Sequence, residues 1–261
     1  MNSSQAISLY EFDNPYGSAL ARANSGYTAC VDGELVRLLD WKEPPARARL
    51  VHETLVRFIG AAEYPCVGAK AAMNQGHYRF ASYHSIGSPV VTAGLARDLS
   101  AFTAERPLMR TDYASFIAVF DDVGMRDPLR FEAALWTQLS QLHALDREHT
   151  AWDPSVNPDA DAADFAFSFG GCAYFVVGLH PGSSRLARRF PWPVLVFNPH
   201  RQFDALRAQG IYDRFKDIVR SRELALQGSL NPNLADFGAA SEARQYSGRA
   251  VDAGWKCPFR P

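Results

Sequence analysis

The chain has only four cysteines in 261 residues, Cys30, Cys66, Cys172 and Cys257, and no two of them form a C-x-x-C pair, so neither a zinc ribbon nor a dithiol redox motif is supported. In a reducing compartment they are expected as free thiols. No window approaches 18 uninterrupted apolar residues. The opening MNSSQAISLYEFDNPYG also lacks the basic and apolar stretches of a secretory signal, so a soluble, cytoplasmic protein with no membrane partner is expected. Internal repeats are missing, as is any linker rich in Gly, Ser and Pro, which favours one domain over residues 1–261. H-E-x-x-H, the P-loop, a G-x-G-x-x-G after a strand and G-x-S-x-G are absent too, which removes the commonest zinc-protease, nucleotide and α/β-hydrolase readings.

What is present is ordinary globular material, 47% hydrophobic and 21% charged. The net charge of −1 hides an asymmetry: residues 180–261 hold 13 Lys and Arg against 7 Asp and Glu, and the first 179 hold 14 against 21. A basic final third on an acidic remainder suggests an anionic ligand held by one part and a cationic one received by the other. Nucleic acid is not expected, because the basic residues are spread through segments that read as packed and the pI of 6.7 is near neutral.

Periodicity predicts a helix in ARARLVHETLVRFIGAAE, with Leu50, Leu55, Phe58 and Ile59 near one face, and strands in HYRFASYHSI and ASFIAVFDD. The clearest helix is DPLRFEAALWTQLSQLHALD, capped by Asp127 with Pro128 in its first turn. The apolar residues flanking Gly170-Gly171 read as a β-hairpin, PVLVFNPH as a buried strand, and residues 201–228 as helix broken near Gly210. Strands and helices do not alternate regularly, so the expected fold is α+β, with a mostly antiparallel sheet packed with helices.

Candidate chemistry centres on GLHPGSSRLARRF. Ser183 and Ser184 are placed to cap a helix from about Leu186, which would put Arg185, Arg188 and Arg189 on one face. Such a face is either an anion site for carboxylate, phosphate or heme propionate, or a solvated basic surface. His180, at the exit of the strand YFVVGL, and His200, at the exit of the next strand, are each either a metal or heme ligand or a hydrogen-bonded structural histidine. His143 lies on the apolar stripe of its helix, as a heme ligand or a core histidine would. Cys257 before Pro258, and Cys66 after Pro65, are possible thiolate ligands.

YPCVGAKAA, WDPSVNPD, FSFGGCAYFVVGLHPGSSRLARRF, LVFNPHRQFDALR, QGSLNPNLADFG and SEARQYSGR followed by WKCPF resemble the successive motifs of the YqcI/YcgG family, in order, from about residue 60 to the C-terminus. Residues 1–60 carry no motif of it. The family includes heme-dependent guanidine N-hydroxylases, so the resemblance implies a monooxygenase of specialised metabolism that uses heme b, O2 and an external electron donor. Its expected substrate is a guanidino compound, L-arginine or a derivative. N-oxygenation of another amine or amino acid, or a non-catalytic heme sensor or carrier, are the alternatives. Under this reading His180 is the first choice of axial ligand, with His200, His143 and Cys257 behind it, and Arg185, Arg188 and Arg189 are expected at the propionates. Phe169, Tyr174, Phe175 and Trp192 would line the pocket. Glu242 and Asp153 are candidates to clamp a guanidinium and Arg244 to hold a substrate carboxylate. The partners implied are a small-molecule substrate and a reductase or other electron donor, with a homodimer left open.

Overall fold

A computed structural model describes residues 14–261 except 110 and 112. Its strands are β1 (Thr28–Val31), β2 (Glu34–Arg37), β3 (Tyr78–Tyr83), β4 (Ser115–Phe120), β5 (Phe167–Phe169), β6 (Cys172–Leu179) and β7 (Val194–Pro199). The helices are α1 (Ala19–Asn24), α2 (Ala46–Gly60), α3 (Val67–Asn74), α4 (Pro89–Glu105), α5 (Pro128–Asp146), α6 (His200–Ala208), α7 (Tyr212–Gln227) and α8 (Ala243–Tyr246). All strands join one sheet in the order β2-β1-β3-β4-β7-β6-β5, in which only β3 and β4 run parallel. The fold is α+β.

Strand alternation sends successive side chains to opposite faces, and here both faces are covered. Phe116, Ala118 and Phe120 of β4, Leu195 and Phe197 of β7, and Tyr174 and Val176 of β6 pack with Leu95, Leu99 and Phe102 of α4 and with Phe131, Leu135 and Leu139 of α5. Their alternates Ile117, Val119, Val194 and Leu179 join Val51, Leu55 and Ile59 of α2 on the other face. Each fully buried Val, Leu, Ile or Phe among them contributes about 1.5–3 kcal/mol relative to exposure. Gly178 permits a close approach on the first face: a Cβ there would lie 2.7 Å from the ring of Phe131 and 2.8 Å from the carbonyl oxygen of Tyr246.

Several local expectations are met. Asp127 accepts a hydrogen bond from the Leu129 N–H at 2.9 Å and Pro128 opens α5. Gly170 and Gly171, at φ 61° and 66°, make the two-residue turn of the β5–β6 hairpin with both centres left-handed. Gly210, at φ 70°, separates α6 from α7. Two expectations are corrected. Leu50 is 51% exposed, and α2 instead buries Ala48, Val51, His52, Leu55 and Ile59. The helix expected from Leu186 is only a 3-10 turn, Leu186–Arg188, because Phe190 and the Pro191 and Pro193 around it lead straight into β7.

The segment before residue 60 is tied to the rest by buried carboxylates. Asp98 of α4 accepts from the Ser25 hydroxyl, the Gly26 N–H at 2.7 Å and the Tyr83 hydroxyl at 2.7 Å. Asp146 accepts from the Tyr16 hydroxyl at 2.6 Å and from the Gly170 N–H. With β1 and β2 in the common sheet, residues 14–60 belong to the same packed unit. Among the described residues no helix is long and apolar enough to cross a membrane.

Candidate functional site

On the α2 face the central strands leave a cavity of 310 Å³. Its floor follows from register. Ser115 pairs across from Tyr78, Ile117 from Val196, Val196 from Val177 and Asn198 from Phe175, and all of these line the space. The buried strands β6 and β7 become partly open at the same positions, Phe175, Val177, Val196 and Asn198. Leu55 and Ile59 of α2, Ala69 and Met73 of α3, and Phe215 and Val219 of α7 supply the walls, so most of the lining is apolar. Gly68 lets α3 approach α7, since a Cβ there would sit 3.2 Å from the Phe215 ring.

Polar groups enter this apolar space at a few points. Glu242, which lines the cavity just before α8, is 6% exposed, and both its oxygens lie within hydrogen-bond reach of His200 Nε2, at 3.0 and 3.1 Å. Burial raises the pKa of Glu242, and the hydrogen bond from His200 opposes that rise without cancelling it. Phe237 meets the His200 ring edge-on at 4.7 Å and helps hold it. Asn198 is spent within the floor: its Oδ1 accepts from the Ser115 hydroxyl at 2.7 Å and its amide donates to the Phe175 carbonyl at 3.1 Å.

Gln202 and Asn231 are only 5% and 7% exposed and also line the cavity. Each uses its side-chain oxygen, Gln202 to accept from the Ala114 N–H and Asn231 from the Asn233 N–H. Neither amide nitrogen has a protein partner among the described residues, which leaves two donors on a cavity wall without a protein acceptor.

Of the three arginines, only Arg188 lines the cavity. Its Nη1 donates to the carbonyl oxygen of Gln245 at 2.7 Å, no carboxylate among the described residues is in ion-pair contact with it, and desolvation lowers its pKa. Arg185 is committed elsewhere, with Nε and Nη2 on Glu223 Oε1 at 3.0 and 2.6 Å and Nη1 on the Ser229 hydroxyl at 3.1 Å. Arg189 is exposed and donates to the Ser183 carbonyl. Without the expected helix, the three point in separate directions.

The histidines part company for a reason of parity. Val177 and Leu179 of β6 line the cavity, so His180, one residue further on, faces α5, where it stacks on Phe131 at 4.4 Å. It is 1% exposed, its Nδ1 has no hydrogen-bond partner among the described residues, and burial lowers its pKa to about 4. His200 has the parity of Val196 and Asn198, which carries it to the cavity side behind Glu242.

The other candidates also lie away from the cavity. His143 packs edge-on to Trp152 and Phe259, and Cys257 is fully buried in the α5-side core, where burial pushes its thiol up to about 12. Asp153 closes a local loop, accepting from the Ser155 hydroxyl and N–H and the Ala173 N–H; burial alone would raise its pKa, and these bonds lower it. Arg244 donates to the carbonyl oxygens of Trp255 and Asp252 and lies over the Trp255 ring. Of the four aromatics expected at the pocket, Phe175 lines it, Phe169 and Tyr174 are in the α5-side core, and Trp192 packs beside Phe190.

Sequence reasoning does not single out Gln202 or Asn231 as site residues, and it sets Cys66 behind the histidines. LVFNPHRQF carries a signal only as far as β7, because alternation from Val196 through Asn198 marks the cavity face, but α6 starts at His200 and strand parity does not extend to Gln202. Nothing in QGSLNPNLADFG announces that Asn231 folds over the same cavity. Among the described residues no three His, Cys, Asp or Glu side chains converge as a metal-binding group.

The sequence pattern of the YqcI/YcgG family matches residues 55–260. None of the curated proteins and none of the solved structures matches the chain.

Proposed function

Because the chain belongs to the YqcI/YcgG family, we propose that it is a heme-dependent N-hydroxylase of a guanidino compound, with L-arginine or a derivative as the first candidate. The observation that carries this reading is one cavity holding opposite charges at separate points on apolar walls: the buried carboxyl of Glu242 and the Arg188 guanidinium, which no carboxylate among the described residues pairs.

The residues fit a heme in two respects. The floor formed by β3, β4, β7 and β6 is a broad apolar surface suited to a flat macrocycle, and Arg188 is able to meet a propionate with a charge-assisted hydrogen bond. When bound, the heme would supply O2 activation, with electrons from an external donor. The protein's own part is positioning. Glu242, once ionised, can accept two N–H bonds from a planar guanidinium, and the His200 ring fixes where that carboxylate sits. The free amide donors of Gln202 and Asn231 suit a carboxylate or another acceptor at the far end of an amino-acid substrate. Val177, Val196 and Phe215 make the space between apolar.

The test is to load the full chain with hemin, supply O2 and a reducing system, and offer a panel of guanidines and amines. A mass gain of one oxygen on a guanidine is expected. Oxygenation of amines alone would replace the substrate class, and heme uptake with no product from any compound would leave a heme sensor or carrier in place of an enzyme.

A further inference from the structure

We infer that Cys66 is the protein ligand to the heme iron. This rests on the heme reading above and goes beyond it by naming a donor atom on this chain. Of the residues weighed as ligands, Cys66 alone lines the cavity itself; His180, His143 and Cys257 lie elsewhere and His200 is engaged by Glu242 behind the wall.

The backbone has already arranged this thiol. Pro65 precedes it, and Cys66 is the N-cap of α3, where its Sγ accepts the Ala69 N–H at 3.4 Å. A sulfur at a helix start, facing the positive end of the peptide dipoles, is in the setting that favours thiolate over thiol. Burial pulls the other way and raises the pKa of Cys66, against the N–H groups of Ala69 and Gly68. Coordination by a metal would release the thiol proton. On coordination one Fe–S bond forms, the S–H bond breaks, the proton leaves to solvent, and the iron keeps its oxidation state.

Independent features of the same cavity point to a ligand with polar groups at its edge. The amide nitrogens of Gln202 and Asn231 are unbonded among the described residues although both side chains are more than nine-tenths buried, and Arg188, held by the Gln245 carbonyl, makes no ion pair with a carboxylate there. An apolar ligand would leave the two amides unsatisfied, whereas a macrocycle carrying carboxylates, followed by a polar substrate, gives them and the guanidinium partners.

The experiment is the ferrous–CO spectrum of the hemin-loaded full chain, compared with Cys66→Ser and Cys257→Ser. Wild type and Cys257→Ser should absorb at ~450 nm, and Cys66→Ser should lose that band. Serine still caps α3, so loss of the band in a variant with wild-type circular dichroism reports ligation and not a broken helix start. A wild-type band at ~420 nm, or a ~450 nm band that survives in Cys66→Ser, would overturn the assignment while leaving heme binding intact. A folded wild type that takes up no hemin would overturn both this assignment and the heme reading.

Discussion

Replacing Glu242 by Gln removes the negative charge from the cavity while keeping the shape of the side chain and one acceptor for His200 Nε2. If the carboxylate pairs with a guanidinium, the variant loses charge-assisted hydrogen bonding of about 1.5–3 kcal/mol, which is about a 10- to 150-fold rise in Kd. The pH dependence carries a second, sharper signature. Burial raises the pKa of Glu242, so part of the pH range of wild-type binding requires the carboxyl to give up its proton before it can accept the cation. Affinity of the wild type should therefore climb with pH until Glu242 is ionised and then level off, while the Gln variant stays flat. Stability runs in the opposite direction. A carboxyl whose folded pKa is raised stabilises the fold at low pH and loses that contribution as pH rises through the folded value, so Glu242→Gln should be no less stable at neutral pH. Calorimetric titration of the heme-loaded protein with arginine across pH, together with thermal melts, separates these effects. Binding within twofold of wild type, with the wild-type pH slope retained, would refute the role given to Glu242.

The arginines of the 180–190 stretch should respond individually. Arg188→Met should weaken hemin binding by about tenfold or more with little loss of fold, and Arg189→Ala should change neither. Arg185→Ala leaves the partly buried Glu223 without its guanidinium and should cost about 1.5–3 kcal/mol in urea unfolding. Acid should destabilise the protein between pH 6.5 and 4. Burial holds His52 and His180 neutral with pKa values of about 4, so the stability they contribute is lost as pH falls through that window. Asp98, raised by burial to about 6, and Asp146 and Glu242, also raised by burial, act oppositely there, so replacing His52 or His180 should reduce the loss of stability between the two pH values, which unfolding curves would register.

The fold is legible wherever one residue's local chemistry decides the backbone. Asp127-Pro128 starts α5, Gly170-Gly171 turns the hairpin, and Gly210 splits the helical run, because capping, left-handed φ and a missing Cβ act within a few bonds. The helix expected from Leu186 does not form although serines and spaced arginines satisfy the local rules there. The competing influence is the entry into β7, where Phe190 is buried in the α2-side core and leaves no length for a second turn. Leu50 fails for a similar reason: both it and its neighbour Val51 fit a helical stripe, and only the position of the sheet decides which one is covered.

The site is harder to read, and the reason lies in how it is built. His180 and His200 look equivalent in sequence, each just beyond a strand, yet a strand's two faces differ by a single residue. β6 ends so that His180 continues the Gly178 face and meets Phe131, whereas β7 ends so that His200 continues the Asn198 face and meets Glu242. Parity counted from Val177 and Val196 separates the two histidines, but it does not say which face of the sheet is left open. The cavity face is set by how α2, α3 and α7 cover β3, β4, β7 and β6, a packing result with no local signature. The same gap explains the ranking of the cysteines. Cys257 and Cys66 are each next to a proline, and the sequence reading ranks Cys257 among the axial-ligand candidates and leaves Cys66 outside that order. The structure buries Cys257 among Trp136 and Phe259 and places Cys66 at the start of α3, on the cavity wall, so a single structural fact, the open face, selects both the thiol and the carboxyl.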